Sequence, residues 1–260
     1  MKGTKHMQYN WKEIHKDLMY HYRLRTLPIV LKYYEKKEDM YAVKGLEIQE
    51  KQCVPCLAVG KAVHGAAVGV TSENFNTNYC RGVNGFRERD DKWKSAAPYL
   101  DRWSENLGCA QAHHAAMLEW DRKNEGFAAA PLEAGIIEDP DACLMYVTPE
   151  QAFWILVSSV NVEYKKRTFT FLGESTCNDS WLRTAMTGEP GLAIGSNGER
   201  VFGGLPHDEM ILTMGMEDVQ KAIRGMENMR KGREFLAYPM GPYSLCADIS
   251  HTPNPAFEGY

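Results

Sequence analysis

The chain has 260 residues, and its 30 lysines and arginines against 34 aspartates and glutamates give a formal net charge of −4 and a pI near 6.1. A chain of that length holds one large domain or two smaller ones and buries a core that needs no staple. Its mild acidity, with basic residues grouped only at 165–167 and 230–233, argues against nucleic acid as a partner, because a phosphate backbone calls for a concentrated basic face.

The longest strongly apolar run, residues 151–160, falls well short of the roughly 20 residues a helix needs to cross a bilayer. Residues 1–15 are polar and basic and lack the apolar core of a secretory signal. The expected location is therefore the cytoplasm, with no membrane partner. In a reducing compartment the seven cysteines read as free thiols or metal ligands rather than disulfides.

In chain order, residues 15–24 carry apolar groups at helical spacing, and 27–34 read as a strand of β-branched and aromatic bulk with Pro28 at its start. Residues 56–64 predict a short helix closed by Gly65, 66–71 a strand, and the stretch with Cys80, Gly82 and Gly85 a tight glycine-bearing loop. The longest helical candidate is 100–122. A loop rich in Ala, Gly and Pro at 126–140 then marks a soft boundary between a first half, 1–130, and a second, 131–260.

In the second half, 143–147 is an apolar strand and Thr148-Pro149-Glu150-Gln151 opens a helix with its N-cap, first-turn proline and early acid. Residues 163–172 read as a strand, 180–187 as a helix, 192–194 as a strand and 216–229 as an amphipathic helix. The fold class expected is mixed α/β or α+β, with two similar halves in one compact chain. In each half a cysteine, Cys56 or Cys177, opens a short helix that ends at glycine and is followed by a strand and an Asn-Gly turn.

Those features, taken in order, carry a resemblance. The strand at 27–34, Cys56 with Ala62 and Gly65, Cys80 with Gly82 and Gly85, Asp141 through Val147 followed by Pro149-Glu150-Gln151-Ala152, Cys177, the turn 197–203 and Asp208-Glu209 resemble the archaeal and bacterial family called domain of unknown function 169. The resemblance implies an order of elements and a placement of cysteines, and no activity. The family commonly has a cysteine near the second glycine turn, where this chain has Ser196, and Cys53 looks like an addition that compensates.

The groups that can carry chemistry follow. Cys53 and Cys56 form a C-x-x-C before a helix, whose N-terminal dipole favours thiolate, and with Cys80 and Cys177 they form a candidate set for zinc or an iron–sulfur cluster. The competing readings are a nucleophilic thiol at Cys56 or Cys177, and cysteines that merely pack; Cys109, Cys143 and Cys246 fit packing best. His113 and His114 are candidate catalytic groups, although adjacent helical residues point about 100° apart. Asn197, Gly198 and Arg200 form either a plain tight turn, the favoured reading, or a site for an anion, and Asp208 and Glu209 are candidate ligand or acid/base groups. The function expected is a metal- or thiol-dependent protein acting on a small metabolite; the alternatives are a non-catalytic small-molecule binding protein and a metal-free hydrolase or isomerase. A homo-oligomer is left open.

Overall fold

The computed structural model describes residues 9–75 and 77–231; Cys246 lies outside them. Asn10 caps α1 (Trp11–Tyr22) through the N–H of Glu13, and Arg23 in the left-handed region ends it. The chain then runs through β1 (Ile29–Tyr34), α2 (Lys37–Tyr41), β2 (Glu47–Ile48), α3 (Pro55–Val63), β3 (Val68–Thr71), α4 (Asn78–Val83), α5 (Asp91–Lys94) and α6 (Leu107–Ala116). It continues with β4 (Gly126–Pro131), β5 (Ala142–Val147) and α7 (Pro149–Val162). A π-helical turn (Asn178–Leu182) runs into α8 (Arg183–Thr187), followed by β6 (Gly191–Ala193), α9 (Asn197–Val201), β7 (Met210–Met214) and α10 (Met216–Arg230).

The strands form one seven-stranded sheet in the order β2-β3-β4-β1-β5-β7-β6. The β2–β3 pair is parallel and the others are antiparallel. The fold is mixed α/β, as expected. Strands before residue 131 and strands after it lie in separate blocks that meet at the β1–β5 pair. The expected likeness of the halves does not extend to the strand order: one block reads 2-3-4-1 with its parallel pair, and the other is an antiparallel 5-7-6.

Alternation along the strands builds two cores. Val30, Ala128, Cys143, Met145 and Leu212 face α1, α7 and α10, where Leu18, Tyr22, Ile155, Val219 and Met226 meet them. Ile29, Leu31, Tyr33, Phe127, Leu144 and Tyr146 face the other way, onto α3, α4 and the π-helical turn, against Val59, Ala62, Val83, Trp181 and Leu182. A sheet buried on both faces shows near-continuous apolar strands rather than alternation; β5 is fully buried along its length.

Four expectations need correction. The region 126–140 is not a loop at its start: Gly126–Pro131 is an interior strand, fully buried, and its three alanines suit a position with cores on both sides, where side-chain volume outweighs intrinsic strand preference. The helix expected at 100–122 is confined to Leu107–Ala116; beyond it, Arg89 binds the carbonyls of Met117 and Leu118, and Asn178 takes the Leu118 N–H, drawing the chain out of helical geometry. Residues 163–172 form no strand; the Leu172 N–H and the Thr170 hydroxyl bind Asp179 instead of a neighbouring strand. Cys80 and Gly82 lie within α4 rather than in a loop, and only Gly85 takes a positive φ, of 74°. Gly82 is small because a Cβ there would stand 2.3 Å from the Trp93 indole nitrogen.

Candidate functional site

Cys56 is the second residue of α3, after a proline that needs no N–H at that position. Cys177 lies immediately before the π-helical turn, a backbone irregularity found often at functional sites. Both cysteines thus sit at helix starts, as expected. Cys80 sits in α4, where its N–H binds the Thr77 hydroxyl at 3.1 Å. Two of the non-glycine residues with positive φ adjoin these cysteines, Thr77 at 58° and Ser175 at 67°. Strain of this kind persists only where surrounding structure enforces it.

Three of the thiols, Cys56, Cys80 and Cys177, lie within electrostatic reach of one another. Cys56 Sγ lies 3.5 Å from Glu199 Oε1, and a Cβ on Gly198 would stand 3.2 Å from the same sulfur, so α9 presses its backbone onto the thiol. Glu199 Oε2 accepts from the Ser196 N–H at 3.1 Å and from its hydroxyl at 2.5 Å. This makes 195–200 the start of a capped helix rather than a plain turn. Burial first, and then Glu199, Cys177 and Cys80, push the Cys56 thiol well up. Cys177 is pushed well up by burial and then by Glu199 and Cys80, and Cys80 is raised chiefly by burial. The thiolate expected from the dipole of α3 is therefore overridden: a partial charge at a helix end is worth less than the desolvation of a thiolate.

Cys53 does not join them in this way. Its S–H faces the Val54 carbonyl at 3.3 Å, its backbone bridges to Phe75, and the charge that acts most on it is Lys61. Tyr33 donates to Asn84 at 2.6 Å and accepts from the Trp181 indole at 3.1 Å, and its phenol feels both Cys177 and Cys56.

Glu174 borders the cluster. Burial, then Glu199, push it up to about 7, and a hydrogen bond with Ser196 draws it partly back. Its carbonyl meets His113 Nε2 at 3.1 Å. His114 faces elsewhere, with Nδ1 3.1 Å from the Trp93 carbonyl in a nest of Tyr79, Trp93 and Tyr99.

Asn197 is exposed at the start of α9. Arg200 donates to the carbonyls of Gly195 at 3.1 Å and Pro206 at 2.9 Å, so its guanidinium ties down its own loop. Asp208 pairs with Arg25 at 2.6 Å on the surface. Glu209 is buried, with Arg25 at 3.6 Å and no hydrogen bond to either oxygen from the described residues. Tyr146 stands within electrostatic reach of Cys56, Glu199 and Glu209.

Glu174 is a residue of this cluster that sequence reasoning passed over, and Ser196 and Glu199, though in the turn read as an anion site, were given no part beside the thiols. The Ser196-x-x-Glu199 spacing is a capping-box signature and would have drawn Glu199 in; Glu174 carries no such signal. Among the described residues no three His, Cys, Asp or Glu side chains stand together at metal-ligating distance.

The family model described as uncharacterised ArCR, DUF169, matches residues 17–225. The chain belongs to the DUF169 family. That match takes in Cys53, Cys56, Cys80, Cys177, Glu174 and Glu199 together. No curated protein and no solved structure matches the chain. Among the described residues, no helix is long and apolar enough to cross a membrane.

Proposed function

We propose that this DUF169 protein is a cytoplasmic thiolate-centre protein in which Cys56, Cys80 and Cys177 hold zinc or an iron–sulfur group and act through it on a small metabolite. The observation that carries the reading is the meeting of Cys56 and Glu199, 143 residues apart in the chain, with Cys80 and Cys177 in electrostatic reach of both. Burial supports a metal over a nucleophile. A nucleophilic cysteine needs a lowered pKa, whereas all three thiols here are raised, and thiols of that kind ionise when a soft cation arrives to balance them. The three thiols do not stand at ligating distance of one another among the described residues, so ligation requires them to move.

The neighbouring carboxylates give the displaced proton a route. Glu199 Oε1 is the acceptor nearest Cys56 Sγ, Ser196 links the second Glu199 oxygen to Glu174, and Glu174, raised to about 7, exchanges protons near neutral pH. The same group can serve as acid or base toward a bound metabolite.

Metal analysis and an anaerobic absorption spectrum test the reading. Protein purified without oxygen is expected to hold about one equivalent of zinc, or an iron–sulfur chromophore, and Cys56→Ser to lose it while staying folded. Wild type and variant with the same background metal, together with Cys56 alkylating no faster than Cys143, would leave the cysteines as packing residues.

A further inference from the structure

Between α5 and α6, a cleft of about 350 Å³ is lined by Arg89, Trp93, Lys94, Gln111, His114 and Glu119, among others. A second, of about 320 Å³, shares Arg89 and Glu119 with it. Two ionisable groups of the first cleft's wall are buried beyond nine-tenths: Arg89 is 5% exposed and His114 4%. Neither is fully partnered.

Arg89 donates Nε to the Gly82 carbonyl at 3.1 Å and its terminal nitrogens to the Met117 and Leu118 carbonyls at 3.5 and 2.6 Å. A guanidinium has five N–H donors, so one hydrogen on each terminal nitrogen is unspent. Its charge rests over the Trp93 ring at 4.6 Å, and no described carboxylate forms a salt bridge with it; Glu119 acts on it only from farther off. A buried charge without a counter-ion is costly, and this one opens onto a cleft.

His114 supplies the second half. Its Nδ1 faces the Trp93 carbonyl, which only accepts, so Nδ1 carries the hydrogen and Nε2 the lone pair. That Nε2 is buried with no hydrogen-bond partner among the described residues. The cleft's wall therefore holds a cation with two donor hydrogens to spare and an acceptor without a partner. Lys94 adds an exposed positive charge at the rim, while Glu119 disfavours a dianion.

We propose that this cleft binds a small monocarboxylate bearing a neighbouring hydroxyl or amino group, its carboxylate on Arg89 and its O–H or N–H donated to His114 Nε2. None of the three cysteines of the thiol centre lines this cleft.

Titration of the full chain with L-lactate, propionate and inorganic phosphate, followed by calorimetry and by the ¹⁵N shifts of the His114 ring, tests this. Lactate is expected to bind with a Kd on the order of millimolar, as suits so small a molecule, and to shift Nε2. Propionate, which lacks the hydroxyl, and phosphate are expected to bind about tenfold more weakly. His114→Phe keeps the ring among its aromatic neighbours and should reduce lactate to the affinity of propionate. Lys94→Gln, on the surface and harmless to folding, should weaken both acids by about the same few-fold factor. The proposal fails if lactate shows no saturable binding, if propionate or phosphate binds as tightly, or if His114→Phe leaves lactate unaffected.

Discussion

The two faces of the sheet are packed by different rules. Toward α1, α7 and α10 the interface is closed by aliphatic and aromatic groups such as Leu18, Ile155, Val219 and Met226, and the helices α7 and α10 approach until Gly225 meets the backbone of Ser158. On the other side, the elements that cover the sheet bury Arg89, His114, Asn178, Asp179 and Glu199 and hold Thr77 and Ser175 at positive φ. Polar burial and backbone strain both cost free energy. They are tolerable on one face because the other is packed mainly by apolar groups, with Gln151, Ser158 and Asp218 buried there but hydrogen-bonded.

The comparison breaks most sharply at Gly225. A Cβ there would stand 1.9 Å from the Ser158 carbonyl oxygen and 2.7 Å from its carbon, and backbone cannot yield as a side-chain tip can. Gly225→Ala is expected to cost about 3 kcal/mol in urea denaturation, by forcing α7 and α10 apart. The folded fraction should keep its thiol chemistry. A loss below about 0.5 kcal/mol would mean that the helix pair is not the tight side of the molecule.

A pair of cysteines sharpens the contrast next. Cys143, on β5, is fully buried toward α7 and α10, and burial alone pushes its thiol up to about 12. A serine hydroxyl at that position loses water without a polar side chain to replace it, and Cys143→Ser should cost about 2 kcal/mol with no change in metal content. Cys56→Ser places its hydroxyl where Glu199 accepts from the thiol, so it should cost less than about 1 kcal/mol while abolishing the thiol centre. Denaturation midpoints in the opposite order would show that the two faces do not differ in this way.

Sequence carried more of the first face than of the second. The strands β1 and β5 and the helices α7 and α10 were legible because apolar periodicity and a Thr-Pro-x-Gln start are local signals. The strand β4 was not, since Ala128-Ala129-Ala130 is strand-forming only where two cores close on it. At the site, Cys56, Cys80 and Cys177 could be picked out as thiols, and the helices at Cys56 and Cys177 could be placed from the glycines that close them. The sign of their pKa shifts could not, because it is set by burial and by Glu199 from a distant part of the chain. Arg89 gave no hint at all: its interest lies in carbonyls that the end of α6 leaves free, which is a tertiary fact.

The smallest expected effect concerns Glu174, and it reads the polar face through pH. The folded protein raises this carboxyl from an ordinary 4.5 to about 7, by burial and then by the Glu199 charge. A raised acid binds more protons folded than unfolded between those values, so its contribution to stability is complete below 4.5 and is lost as pH climbs through about 7. Glu174→Gln keeps the shape and removes the titration. Because the side chain is only partly buried, solvent screening reduces the full effect, and the variant should be more stable than wild type by about 1 kcal/mol at pH 8 and nearly equal to it at pH 4. Urea midpoints measured at those two pH values decide the matter. If wild type and variant lose stability in parallel across that range, the slope belongs to another raised carboxyl, Asp141 or Glu209, and Glu174 is not the group through which the thiol cluster exchanges protons with water.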